Sequence, residues 1–285
     1  MLPFFSLRRN GGSEGIEYTK VVRREGGIQR MHWRVRPHPE YGTAGPFAHR
    51  VHRAVEQLIT ERGLPTANPV PFTVHDLCRR LGLRAGGTEY RKVREALISI
   101  KATQVESEGA FYAKSQSRYI DQVFSLYDRI VFAGEQLPDG RTAETNLLYL
   151  GTWYLENLNS LYVKPLDYRL YSALRTPIAR RLYELLGVKF YRVWRKSDPW
   201  IRYRYSTLCK ILPMKQHLYR SLVRQQLEAP HAELLESQFL LTATIRPISH
   251  ARDWHVTYRP GRKAIAEIEE TRRRKKNLSI CRASS

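Results

Sequence analysis

The chain has 285 residues, which at about 150 per domain suggests two domains, and its 42% hydrophobic content is enough for real cores and excludes global disorder. Lysine and arginine number 48 against 27 aspartate and glutamate, a formal net charge of +21. An excess of that size repels itself in the folded state unless a polyanion neutralises it, so nucleic acid is the leading partner.

Residues 1–39 are glycine-rich and irregular, with strand-like pieces at Ile16–Val22 and His32–Arg36, and read as an arm or a small ribbon packed on the domain after it. From Pro46 to Arg62 the spacing of Phe47, Val51, Val55, Leu58 and Ile59 predicts a helix, ended by Gly63 and Pro65. Thr73 caps a short helix, Val74–Leu81, and Thr88 caps a longer one to about Lys101. The period then changes from 3.6 to 2: Thr103–Val105, Gly109–Tyr112, Val123–Phe132 and Thr145–Leu150 are predicted strands. Three helices followed by hairpins is the winged-helix layout, a helix-turn-helix with a β-wing.

The second half repeats the order. Thr176-Pro177 starts a helix expected to end at Gly187, Trp200–Tyr205 is a short strand, and Ser206 caps a short helix stopped by Pro213. A helix of Lys215–Leu227 and a shorter one from Pro230 to Glu236 follow, then strands Phe239–Arg246 and Trp254–Tyr258 flanking a second wing. Residues 263–285 are a charged tail, by default a solvated helix or disorder. Leu77-Cys78-x-x-Leu81 is echoed by Leu208-Cys209-x-x-Leu212, and Tyr90-Arg91 by Tyr219-Arg220, which favours two related modules. The expected class is α+β, with an arm (1–39), winged-helix domains at 40–165 and 166–262, and a basic tail (263–285).

The long third helices decide the function. Steps of 100° put Tyr90, Val93, Leu97 and Ile100 on one stripe and Thr88, Arg91, Lys92, Glu95 and Ser99 opposite. In the later helix Leu218, Tyr219, Leu222, Val223 and Leu227 are expected inward, leaving His217, Arg220, Ser221, Arg224 and Glu228 outside. Such a helix fits the major groove of B-DNA, where arginine bonds guanine and serine or histidine bonds base edges or phosphate. Glu95 weakens the first face, so the second domain is expected to be the stronger base reader. The expected DNA contacts are Thr88, Arg91 and Lys92 in the first domain; Lys215, His217, Arg220, Ser221 and Arg224 in the second; and Arg246, His250 and Arg252 on its wing. Between Tyr168 and Arg204 basic residues, among them Arg180, Arg181, Arg192, Arg195 and Lys196, are interleaved with aromatics, and Arg192, Arg195 and Lys196 are further expected phosphate contacts.

The catalytic search is negative. There is no GxxxxGK[ST] loop, and no histidine pair flanking a single apolar residue; His49-x-x-His52 reads as surface. Cys78, Cys209 and Cys281 stand far apart without a CxxC pair, which argues against a disulfide scaffold or zinc site and for a reducing compartment. No apolar run approaches the roughly 20 residues that span a bilayer, and Met1–Leu7 is too short for a signal-peptide core. A cytoplasmic protein with no membrane contact, no cofactor and no catalytic or metal site is expected.

Several stretches carry a resemblance: Leu2-Pro3-Phe4-Phe5-Ser6-Leu7, Tyr41-Gly42-x-x-x-Pro46, Phe72-Thr73-Val74-His75-Asp76-Leu77, Asn157-Leu158-Asn159-Ser160-x-Tyr162, Pro165-Leu166-Asp167-Tyr168 and Tyr258-Arg259-Pro260-Gly261. In this order the chain resembles the replication initiator protein A family of plasmid Rep proteins over most of residues 1–262. The resemblance implies tandem winged helices that bind repeated sequences (iterons) of a plasmid origin of replication in the bacterial cytosol. It also implies a monomer that initiates DNA replication, a homodimer that represses its own gene, and recruitment of the host replication initiator and helicase. A winged-helix transcriptional repressor stays open as an alternative, and a strand nickase as a more distant one.

Overall fold

Ile16, Met31, Trp33 and Val35 are buried on one face of an antiparallel hairpin, β1 (Ile16–Arg24) with β2 (Gly27–Arg36), because strand side chains alternate across the pleat. The computed structural model describes residues 2–8, 14–24, 27–160, 166–194 and 198–283. The chain divides into two compact units, residues 2–163 and 164–285.

In the first unit α1 (Pro46–Arg62) carries proline in its first turn and Gly63 just past its end, and buries Val51, Val55, Leu58 and Ile59. After β3 (Val70–Phe72), α2 (Val74–Arg80) begins at Thr73, whose hydroxyl accepts from the Asp76 N–H at 3.0 Å. α3 (Gly87–Ala102) starts at Gly86 rather than at Thr88, which lies inside the first turn. Then come β4 (Gln104–Ala113), β5 (Arg118–Ser125), β6 (Tyr127–Val131), β7 (Asn146–Leu150) and α4 (Thr152–Asn159), the last not foreseen from the sequence. The antiparallel sheets have the orders β1-β2-β4-β5 and β3-β7-β6. The two strand pieces expected at 103–112 are one strand with an irregularity between Ser107 and Phe111. There the Ser107 hydroxyl donates to the Ile120 carbonyl (3.1 Å) and accepts from the Phe111 N–H (3.0 Å).

The segment from Leu2 to residue 39 belongs to this unit. Phe4 and Phe5 are buried, the Trp33 indole N–H donates to the Pro3 carbonyl, and Phe5 stacks on His49 with ring centres 4.4 Å apart. His49 and His52 are therefore core residues, a correction to their reading as surface. His52 Nδ1 is 2.9 Å from the Tyr127 hydroxyl, and the Tyr154 hydroxyl donates to Glu56 at 2.6 Å. Burial alone would raise the Glu56 carboxyl, but Arg53, His52 and Tyr154 together hold it well below the usual carboxylate range.

The second unit comprises α5 (Tyr168–Ala173), α6 (Pro177–Val193), β8 (Ile201–Arg204), α7 (Tyr205–Ile211), α8 (Arg220–Glu236), β9 (Leu240–Pro247), β10 (Trp254–Pro260) and α9 (Arg262–Ala283), with one antiparallel sheet of order β8-β10-β9. α6 runs through Gly187, where an end was expected; a helical glycine costs only about 1 kcal/mol against alanine, and the extra turns seat Phe190 against Phe239. α8 likewise runs through Pro230, where a break was expected. The missing N–H is outweighed by anchors beyond it: His231 Nε2 lies 3.1 Å from the Tyr258 hydroxyl, and the buried Glu233 carboxylate accepts from the N–H of Thr176. Ser206 is not the cap of α7 but lies within it. The charged tail is also corrected: the first turns of α9 bury Ala264, Ile268 and Thr271, and Tyr183 donates to Glu267 at 2.8 Å.

The echoed motif has the same role twice. Leu77, Cys78 and Leu81 on and just after α2, and Leu208, Cys209 and Leu212 on and just after α7, are all buried. Val93 with Leu97 and Val223 with Leu227 then form matching inward pairs. Counted back from these pairs, Arg220 stands where Tyr90 does, so the two Tyr-Arg matches are one residue out of step.

Candidate nucleic-acid interface

α8 is aimed by a small polar cluster under its first turn. The buried Tyr205 hydroxyl donates to Gln226 Oε1 (2.6 Å) and accepts from the His217 N–H (3.2 Å), while Gln226 donates to the Lys215 carbonyl (3.0 Å). These bonds tie the loop of Lys215 and His217 to both α7 and α8. Burial pushes the Tyr205 hydroxyl above its ordinary range and the Cys209 thiol up to about 11, so both stay neutral and structural.

With Val223 and Leu227 fully buried, the other side of α8 presents Arg220, Ser221, Arg224, Gln225 and Glu228 to solvent. Arg220 and Arg224 form no ion pair among the described residues, although Glu228 stands one turn beyond Arg224. The helix begins at Arg220, five residues later than expected, so Leu218 and Tyr219 precede it. Both were expected inward together with Leu222; instead Leu218 is 60% and Tyr219 71% exposed, and Leu222 is exposed too. An apolar and aromatic patch thus flanks the arginines. Helical projection missed it because it assumed a helix through residues 215–219.

The hairpin β9–β10 stands beside this helix. Its turn is pinned by Asp253, which accepts from the Ser206 hydroxyl (2.6 Å) and from the N–H groups of Ser206 and Trp254. His250, in a left-handed conformation (φ 63°), and Arg252 are exposed on that turn, and Arg246 is exposed on β9. Arg202 and Arg204 on β8, part of the basic stretch that ends at Arg204, are exposed as well. Gly261 closes β10 against β9: a Cβ there would meet the Gln238 carbonyl oxygen at 2.2 Å, so only glycine fits.

In the first unit α3 buries Val93, Ala96, Leu97 and Ile100, and exposes Thr88, Arg91, Lys92 and Glu95. Lys92 pairs with Glu89 at 2.9 Å, leaving Arg91 as the uncommitted cation of the predicted set. The β4–β5 hairpin carries Lys114 and Arg118 near its turn. It is braced from α4, where Asn157 accepts from the Lys114 N–H (2.9 Å) and donates to the Tyr112 carbonyl (3.0 Å). Asn159 similarly accepts from the Thr66 N–H at 2.8 Å. The Asn-Leu-Asn stretch is thus a pair of amide clamps.

Arg192 is exposed in the last turn of α6, while Arg195 and Lys196 lie outside the described residues. Arg180 and Arg181 are removed from the basic surface: both are buried, and Arg181 pairs with the buried Glu184 at 2.7 Å. Trp200, under Arg202 at 4.8 Å, is exposed, whereas Tyr171, Tyr183 and Tyr205 are core. Among the described residues no group of three or more His, Cys, Asp or Glu side chains is placed to hold a metal ion, and no helix is long and apolar enough to cross a membrane.

A mixed α/β chain whose two units each present an exposed, arginine-bearing helix beside an antiparallel hairpin has a fold known from solved structures. It is similar to the crystal structures of domains 2 and 3 of RctB, one at TM-score 0.56 and 15% identity over 90% of this chain and 94% of that one, another at 0.51 and 12% over 94% and 97%. At such identities the likeness concerns the fold alone. The family described as replication initiator protein A matches residues 1–199, more than half of the chain, and the chain belongs to that family. No curated protein sequence matches it. α8 and the β9–β10 hairpin lie beyond the matched span.

Proposed function

We propose that this replication initiator binds the double-stranded DNA of a plasmid origin sequence-specifically, through two tandem winged-helix domains, and does so without catalysis. The order helix, strand, helix, helix, hairpin in both units supports the winged-helix reading. The observation that carries the proposal is the α8 surface: two uncommitted guanidinium groups one turn apart, on a helix tied from behind through Gln226 to Tyr205 and through His231 to Tyr258. Arginine on such a surface can make a bidentate bond to guanine, worth about 1–3 kcal/mol of discrimination, and the exposed Leu218 and Leu222 can meet thymine methyl groups. Arg246, His250 and Arg252 on the second hairpin, with Lys114 and Arg118 on the first, would hold phosphate and set register.

The targets in this reading are iterons, with each domain in a successive major groove. The protein then works in the bacterial cytosol, recruits the host initiator and helicase, and represses its own gene as a homodimer. Footprinting of the purified full chain on its plasmid tests the proposal. Protection of several direct repeats, each about two helical turns long, is expected; protection of one operator with no effect of gene deletion on replication would replace the initiator by a repressor. Metal-dependent nicking of supercoiled origin DNA would overturn the non-enzymatic reading.

A further inference from the structure

The first unit carries a second projecting ribbon that no predicted contact includes. β2 pairs with β4 only from His32 to Arg36, but its ladder with β1 continues from Lys20–Met31 to Arg24–Gly27. Five residue pairs, roughly 17 Å at 3.4 Å per residue, therefore extend past the point where β4 stops supporting them. The direction of the overhang follows from the register. β2 is antiparallel to β4, so its early residues point the same way as the late residues of β4. The β1–β2 ribbon and the β4–β5 hairpin thus emerge from the same end of one four-stranded sheet.

Charge along the ribbon is graded. At its base the cations are spent: Arg34 pairs with Glu17 (2.7 Å) and Glu106 (3.3 Å), and Arg36 with Glu106 (2.6 Å). Beyond Met31, Lys20, Arg23 and Arg30 are exposed and form no ion pair among the described residues. Val21 faces across from Arg30, and Arg23 from Ile28, so these four share one face, opposite the buried Trp33 and Val35. Val21 and Ile28 are 62% and 73% exposed. Arginines on diagonal sites, whose backbone positions are about 7–8 Å apart, with aliphatic side chains between them, suit the alternation of phosphate and sugar along a nucleic-acid strand. The same charges, with no second strand partner, disfavour pairing of this edge with another sheet.

We propose that the β1–β2 ribbon is a second backbone clamp, in which Arg23 and Arg30 grip duplex phosphates beside the β4–β5 hairpin. It adds affinity without sequence preference, the complement of the base reading assigned to α8. The inference rests on the duplex-binding reading.

The test uses full-length protein with Arg23→Ala and Arg30→Ala combined, and a companion carrying Arg23→Lys and Arg30→Lys. Fluorescence anisotropy is read on origin and random duplexes between 50 and 200 mM salt, with thermal unfolding as the folding control. The alanine pair should lose about ten-fold or more in affinity at 50 mM salt, equally on both duplexes, and the slope of log affinity against log salt should become shallower by about 1.8. The lysine pair should keep most of the affinity and the slope. A wild-type slope in the alanine pair, a loss confined to origin DNA, or an equal loss in the lysine pair would each overturn the clamp while the duplex-binding reading stands. Failure of the wild-type chain to bind any duplex would overturn both.

Discussion

Replacing Arg220 and Arg224 by alanine together separates base reading from simple charge attraction. Both side chains are exposed, sit one turn apart at the start of α8 and make no ion pair among the described residues. Their removal leaves no buried partner stranded, so stability should change by no more than about 0.5 kcal/mol. Each bidentate contact to guanine is worth about 1–3 kcal/mol, or about 5- to 150-fold in affinity. Neighbours one turn apart are not independent, so the double variant should lose about 10- to 1,000-fold on an iteron rather than the full product. Random duplex should lose far less, and the specificity ratio should collapse. The assay is competition binding at fixed salt, repeated at several concentrations. Equal losses on iteron and random DNA, with a salt slope shallower by about 1.8, would show that both arginines hold phosphate and that α8 is not the reading helix.

Asn157→Ala removes the brace of the β4–β5 hairpin and leaves the Tyr112 carbonyl and Lys114 N–H without it; a loss of about 1–3 kcal/mol in denaturant unfolding is expected, with weaker binding to all duplexes. Deleting residues 263–285 should weaken binding to all sequences alike, and should also lower the melting temperature, because Ala264, Ile268 and Thr271 are buried. Burial lowers His231 to about 4, below its ordinary 6.5. A base whose folded pKa is depressed contributes stability that is complete above its unfolded pKa and is lost as pH falls from about 6.5 to about 4, by about 3 kcal/mol. His231→Gln, which can still bond the Tyr258 hydroxyl, should flatten that part of the stability profile; an unchanged acid slope in urea titrations would refute it.

Much of the molecule is legible locally. The span of α1 follows from Pro46 and Gly63, the cap of α2 from Thr73, and the paired Leu-Cys-x-x-Leu motifs mark the same buried helix face in both units. The exposure of Arg220, Ser221 and Arg224 follows from the spacing of Val223 and Leu227. Several stretches that carry the family resemblance prove to be structural: Thr73 and Asp167 are caps, Asn157 and Asn159 clamps, and Gly261 a close approach between strands.

What the residues determine by themselves is whatever lies within a turn or a strand pair: helix period, caps, and an overall charge that calls for a polyanion. Only the tertiary structure decided which polar and helix-breaking residues go inside. His49 and His52 are buried because Phe5 and Tyr127 come to them from 44 and 75 residues away. Pro230 stays helical because Tyr258 and the N–H of Thr176 hold the turn beyond it. Leu218 and Tyr219 remain outside because a loop, not a helix, carries them. Burial depends on partners distant in sequence, which no local period encodes, and so which basic residues stay on the surface became visible only once the chain was folded.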